Sequence, residues 1–444
     1  MSFFISFFGD FIVSPILITV LLAGGAYLSA RLGFFHITRP GKIVSSMLHS
    51  KGKSSGRSPF REVTVALAGT LGVGNLSGVA ASIAIGGAGS VFWMWIGALL
   101  SALLKYSEIV LAVKFRVRRE NGFIGGAMYY IRSPFFKNLF ALLCIFTSFT
   151  LGNMMQMRAA SECFESIFGV SAIVCGVILA AVVFLIIING HSGVSAFTSA
   201  AIPFACAVYI LLSVFVIVTN ISALPRVFAE IFSSAFTFPA AAGGFLGSLI
   251  IALRPVRYGV SRGLITNEAG CGTAPIAHAA ADTDSPAAQG FWGIFEVFAD
   301  TVILCTLSAL VLLIARPDFA AAGDMGSVLF SFAKYCGPIS DLIISALVLL
   351  FAVSGAVGWF YYGTVGLEYL CGTSKGNAKI KVIYALLYAL CAALGALFSS
   401  ELVWDLTHIS IGLMAIINTP CVISYCRLIS RETSDFFQKG IKEK

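Results

Sequence analysis

The stretch Ala68-Gly69-Thr70-Leu71-Gly72-Val73-Gly74-Asn75-Leu76-Ser77-Gly78-Val79-Ala80 lies inside an apolar run of membrane-spanning length, yet it opposes a continuous helix. Each of Gly69, Gly72, Gly74 and Gly78 weakens a helix by roughly 1 kcal/mol relative to alanine, so the expected helix opens near its middle. In hydrocarbon an unpaired N–H or C=O costs several kcal/mol, so an opened helix survives only when sheltered by protein or lining a wet cavity. The competing reading is a glycine-rich helix that packs closely on a neighbour. Asn75, in the centre of the run, then needs a polar partner of its own.

The rest of the chain reads as scaffold for that break. Apolar runs of spanning length fall near residues 11–30, 62–85, 90–113, 139–157, 171–189, 201–220, 239–262, 288–315, 339–363, 380–398 and 404–426, which predicts eleven membrane helices. With 58% hydrophobic and 11% charged residues over 444 positions, a soluble core could not hide so much apolar surface. The first run has no Lys or Arg before Arg31, so it reads as a membrane segment in residues 1–32 rather than a cleaved leader.

The net charge of +8 does not point to a nucleic-acid partner, because the basic residues sit in short loops between apolar segments. Of the 29 Lys and Arg, 24 fall in one alternate set of loops and four in the other, while Lys105 lies within a run. The positive-inside rule then places the N-terminus outside, with residues 429–444 as a cytoplasmic tail. The eleven cysteines are scattered, mostly within apolar segments, and read as small core residues.

After the first helix, ten helices remain, and five plus five is the count of an inverted repeat, residues 60–220 against 239–428. Each half carries polar, glycine-rich irregularity near its first helix. In the second half this is either Gly243, Gly244 and Gly247 or the stretch Thr266-Asn267-Glu268-Ala269-Gly270-Cys271-Gly272-Thr273-Ala274-Pro275, and both remain open as the break. Paired interruptions in matching positions are the sequence pointer to a transporter's binding site, where half-helix ends meet anionic groups and freed carbonyls hold cations.

Ionisable side chains inside apolar segments cost roughly 2.5–3.5 kcal/mol on insertion scales, so each needs a reason. Lys105 and Glu108 are three apart and can pair with each other. Glu296 and Asp300 are four apart, where like charges repel; they read either as part of an ion or proton path or as acceptors in a static network. Gln156 can hydrogen-bond across helices or reach a ligand. Ser354 and Gly355 precede Trp359 in the ninth run, where a hydroxyl suits Na⁺ and an aromatic limits ligand size. His191 and His278 read as satisfied loop residues. No H-E-x-x-H pair and no Walker loop is present, so neither a zinc hydrolase nor an ATP-driven pump is expected. The predicted protein is not an enzyme, and it needs no organic cofactor and no metal beyond a monovalent cation.

Several ordered motifs resemble one family. These are Gly72 to Ala80, Gly86-Gly87-Ala88-Gly89-Ser90-Val91-Phe92-Trp93-Met94-Trp95, Lys105-Tyr106-Ser107-Glu108, Gly125-Gly126-Ala127-Met128-Tyr129-Tyr130-Ile131, and Asn267-Glu268-Ala269-Gly270 followed by Ala274-Pro275-Ile276-Ala277-His278-Ala279-Ala280. From about residue 15 to 425 the chain is similar to the alanine or glycine:cation symporters, also called sodium/alanine symporters or amino acid carrier proteins. The resemblance implies an all-α polytopic fold of leucine-transporter type, five plus five helices preceded by one extra. It also implies a bacterial inner-membrane location and symport of small neutral amino acids, alanine or glycine, with Na⁺ across the lipid bilayer.

Carried over by position, Gly72, Val73, Gly74, Asn75, Gln156, Asn267 and Trp359 would meet substrate, and Thr70, Gly72, Ser354 and Gly355 would meet the ion. The chain departs from the family pattern in having Val73 and Gly355 where the family commonly has threonines, and Ala88 and Ala127 for prolines. The lost hydroxyls leave H⁺ as an alternative coupling ion. An ion channel, an intramembrane enzyme using Glu296 and Asp300, and a non-transporting sensor are the remaining alternatives.

Overall fold

A computed structural model describes residues 13–48, 58–119, 122–236, 254–372, 378–397 and 400–442. Gly243, Gly244 and Gly247 lie outside the described residues. Among the described residues, seven helices are long and apolar enough to cross a membrane, or eight if one bent pair counts as a span. The chain is helical apart from a small hairpin, β1 (Val117–Arg119) with β2 (Gly122–Ile124), which all-α patterning did not anticipate.

After α1 (Ser14–Arg31), the first interrupted helix runs as α2 (Pro59–Thr70) and α3 (Ser77–Gly86), bent by 60°. Ser58 caps α2 by accepting from Arg61 N–H, and Pro59 occupies the first turn, where its missing donor costs nothing. The long α4 (Gly89–Phe115) follows, then α5 (Pro134–Phe149) and α6 (Met155–Phe168), joined by a π-helical turn at Thr150–Met154. The first half closes with α7 (Ala172–Ile187), α8 (Gly190–Thr219) and a short α9 (Leu224–Ala235).

A second interrupted helix comprises α10 (Arg254–Asn267) and α11 (Ala274–Ala279). It is followed by α12 (Pro286–Val297), a π-helical stretch at Phe298–Cys305 and α13 (Thr306–Ala315). Then come α14 (Phe319–Cys336), α15 (Ile339–Cys371), α16 (Ala378–Gly395), α17 (Ser400–Ser424) and α18 (Cys426–Lys442).

The segment expected as a tail after residue 428 belongs to α18, which docks on the bundle. Ile429, Thr433 and Phe437, four apart along one face, are buried. The Thr433 hydroxyl lies 2.8 Å from that of Tyr106, and Lys114 pairs with Glu432 at 2.7 Å.

The core sits around α4, 83% of whose most apolar stretch is buried, against 33% for α8. The helix that carries Lys105 and Glu108 is therefore the central post. Both interrupted helices pack against it.

Candidate functional site

The first interruption places glycine where a side chain would push Gln156 aside. Gly72 is extended (φ −106°, ψ −167°), and residues Val73–Asn75 form a 3₁₀ turn before α3 begins. A Cβ on Gly72 would stand 2.9 Å from Gln156 Nε2. The backbone groups freed here find neutral side chains from other helices. Val73 N–H donates to Gln156 Oε1 at 3.1 Å, Ser308 Oγ donates to Asn75 C=O at 2.8 Å, and Trp359 Nε1 donates to Gly69 C=O at 3.2 Å. Asn75 finds the polar partner its position demands, donating to Asp300 Oδ1 at 2.6 Å.

Among the described residues the second interruption falls at residues 268–273, within the Thr266-to-Pro275 candidate; the other candidate, Gly243 to Gly247, lies outside them. Glu268 (φ +54°), Gly270 (φ +86°) and Gly272 (φ +77°) all adopt left-handed backbone, where glycine is at ease and glutamate is strained. Here the freed groups are met by charge. Lys105 Nζ donates to Asn267 C=O, the C-terminal residue of α10, at 2.7 Å. One turn on, Glu108 accepts from Gly270 N–H at 3.2 Å and Gly272 N–H at 3.1 Å, and Asn418 Nδ2 also donates to it. An ammonium at a helix C-terminus and a carboxylate on free amides both suit the peptide dipole.

Lys105 and Glu108 thus do not pair with each other as their spacing suggested. Lys105 instead forms a fully buried ion pair with Glu296 at 3.0 Å. Glu296 also takes His278 Nε2 at 2.5 Å, and Gln289 Nε2 lies 2.8 Å from His278 Nδ1. His278 is satisfied as expected, but it lies buried in α11, not in a loop. His191, at the start of α8, lies 3.0 Å from Glu62. Glu296 and Asp300 are served separately: Asp300 accepts from Asn75 and, at 2.8 Å, from the Thr301 hydroxyl.

Between the two interruptions lies a cleft of about 330 Å³, part of it open to solvent. Thr70, Gly72, Gly74 and Gln156 line it from one side, and Thr266 and Glu268 from the other. Met155 and Trp404 wall it and also border a second, polar cleft carrying Arg158, Glu162 and Asp324. Gln156 stands between two glycines, since a Cβ on Gly355 would lie 3.2 Å from its Cδ.

Of the other expected residues, Trp359 packs the root of its side chain against Gly152, where a Cβ would come within 2.1 Å of its own Cβ. Asn267 turns its amide to Thr301 Oγ1 (3.1 Å) and Ala269 N–H (3.0 Å). The Thr70 hydroxyl bonds its own helix, and Ser354 Oγ is buried with no hydrogen-bond partner among the described residues.

Sequence reasoning passed over Glu268. The signal was there: a carboxylate among glycines in an apolar setting calls for a function. Gly259-Val260-Ser261-Arg262-Gly263 has the spacing of a nucleophile elbow, but it lies within α10 and not on the strand-to-helix turn that this chemistry requires.

Over residues 1–444 the chain matches the sodium:alanine symporter family. It belongs to that family. Among its relatives, the sodium/alanine symporter AgcS of Methanococcus maripaludis is 35% identical over 442 residues, 96% of this chain and 95% of that one. An uncharacterized transporter of Haemophilus influenzae is 36% identical, covering 96% of this chain and 94% of the relative. A probable sodium/glutamine symporter, GlnT, of Bacillus subtilis is 32% identical across 96% of this chain and 89% of that protein.

Among solved structures, a Na⁺-coupled sialic acid symporter superposes with a TM-score of 0.54 at 12% identity, over 86% of this chain and 82% of that one. The Eremococcus coleocola manganese transporter gives 0.55 at 12%, over 82% and 76%. The fold is therefore a transporter fold, and this member of the sodium:alanine symporter family is a multi-pass membrane protein of amino-acid symport.

Proposed function

We propose that this chain carries a small neutral amino acid, alanine or glycine, together with Na⁺ by alternating access around the cleft between residues 71–76 and 268–273. The observation that carries this reading is the uncoiling of the first interrupted helix inside a fully buried stretch, with Gly72 and Gly74 facing the cleft. Buried backbone groups held only by exchangeable side-chain contacts are what a zwitterion can displace. Met155 and Trp404 narrow the cleft, which favours a short side chain. Gln156 Oε1 already occupies the Val73 amide as a carboxylate oxygen would, so substrate entry is an exchange of acceptors.

On this reading the chain has eleven spans, one extra helix followed by two inverted five-helix repeats near residues 60–220 and 239–428. The N-terminus is outside and the C-terminus in the cytoplasm of a bacterial inner membrane. Thr70, Gly72, Ser354 and Gly355 surround the ion path, while Glu296 and Asp300 brace it. One co-transported monovalent cation adds about 2.3 kcal/mol per 100 mV, which corresponds to roughly forty-fold accumulation.

H⁺ coupling is the second reading, favoured by Val73 and Gly355, where the hydroxyls expected from the family pattern are missing. Uptake of labelled alanine into proteoliposomes, with Na⁺ replaced by choline at fixed pH, separates the two. Loss of uptake supports sodium, and undiminished uptake rejects it. Large currents without saturable uptake would indicate a channel, and binding without uptake a sensor.

A further inference from the structure

Four carboxylates, those of Glu108, Glu268, Glu296 and Asp300, are buried around the two interruptions. The cationic candidates facing them are fewer: Lys105, Arg262 and His278. Lys105 and His278 are committed to Glu296. Arg262, half-buried on the cleft wall, stacks its guanidinium 3.7 Å from the centre of the Trp404 ring. Glu108 is balanced by two backbone amides and Asn418, and Asp300 by Asn75 and Thr301.

Glu268 stands apart. It is 1% exposed; its Oε2 accepts from the Thr273 hydroxyl at 2.5 Å, while its Oε1 has no hydrogen-bond partner among the described residues. A buried carboxylate oxygen left bare is costly unless something cationic comes to it. Glu268 also lines the cleft together with Gly72 and Gly74, and its backbone is left-handed (φ +54°), a strained conformation for a residue other than glycine.

We propose that the Glu268 carboxylate is the anionic ligand of the monovalent cationic group that enters the cleft, either Na⁺ or the ammonium of the amino acid. The chemistry is the same for both: one negative oxygen at the end of the cleft, with the uncoiled first segment facing it. A single free carboxylate oxygen suits one positive charge; Ca²⁺ takes six to eight oxygen ligands. This inference rests on the transport reading for the identity of the ligand, but not for the existence of the site.

The test uses the purified full chain with Glu268→Gln and Glu268→Asp. NaCl titrations against choline chloride, read as thermal stabilisation, report the ion. Calorimetric titrations of L-alanine at saturating NaCl, with L-lactate as the analogue lacking the ammonium, report the substrate. If Na⁺ is the ligand, Glu268→Gln raises half-saturating Na⁺ by about 10- to 100-fold, the worth of a charged contact, and alanine binding returns at high NaCl. If the ammonium is the ligand, the Na⁺ response stays and alanine affinity falls by the same factor, while weak lactate binding is unmoved. In both cases Glu268→Asp retains part of the response. A Glu268→Gln protein that titrates as wild type with both probes overturns the proposal.

Should neither variant fold, dicyclohexylcarbodiimide labelling of Glu268 in the wild-type protein, read by mass spectrometry, decides the matter. Protection by NaCl or by alanine supports the site, and equal labelling in choline, NaCl and alanine overturns it. Na⁺ protection without any alanine uptake would sink the transport reading and leave the Glu268 site standing. Alanine uptake with Glu268 unprotected would do the reverse.

Discussion

The two interrupted helices face the same difficulty and solve it differently. The first interruption, from the Gly69 carbonyl to Asn75, leans on an amide, a hydroxyl and an indole from other helices. Residues 268–273 are capped by an ammonium and a carboxylate that the neighbouring helix α4 supplies one turn apart. Neutral hydrogen bonds contribute about 0.5–1.5 kcal/mol each and charged ones about 1.5–3 kcal/mol. The first interruption is therefore easily re-bonded, whereas the second is anchored. The difference separates a segment built to exchange partners from one built to hold still.

The strongest way to break this comparison is Lys105→Met. It bares the Asn267 carbonyl and leaves Glu296 buried with His278 alone, at an expected cost of about 3–5 kcal/mol. Monodisperse protein should be largely lost in size-exclusion chromatography. Glu296→Gln in the same chain should recover part of it, and no recovery would mean that the pair is not what anchors the segment.

Glu108→Gln keeps the shape but removes the charge from the two amides, and should lower thermal stability by about 1.5–3 kcal/mol. At the first interruption the balance should tilt from stability to transport. Asn75→Ala loses its bond to Asp300, and we expect it to insert and fold while alanine uptake disappears. Wild-type uptake by that variant would remove residues 71–76 from the site. Gln156→Ala should be milder: it removes the acceptor that substrate must displace from the Val73 amide, so the KM for alanine should fall by up to about tenfold, worth about 1.4 kcal/mol, with near-normal folding. Ser308→Ala loses the neutral bonds to Asn75 C=O and to the buried Tyr209 hydroxyl, an expected cost of about 1–3 kcal/mol of stability with no direct effect on the cleft, measured by thermal unfolding.

What the sequence disclosed follows from what is local. Gly69 to Gly78 announced a break because glycine's cost to a helix does not depend on its neighbours. The second break was ambiguous because two glycine-bearing stretches competed; the left-handed backbone of Gly270 and Gly272 shows an interruption in one, and the other lies outside the described residues. Spacing placed Lys105 and Glu108 on one face correctly but paired them wrongly, since the better partners lie 162 residues or more along the chain. Glu268 was missed for a similar reason. Its importance lies in a bare oxygen that only the packing of α10 and α11 reveals. Gly152 was invisible as well: its role is a close approach to the root of the Trp359 side chain, a contact between distant parts of the chain.

Lys105 and Glu108 together present a positive head and a negative head to an uncoiled backbone, which is what a free amino acid would offer. The molecule therefore carries two sockets of similar make but has stoppered one with its own flesh. On the transport reading the other is left for a visitor.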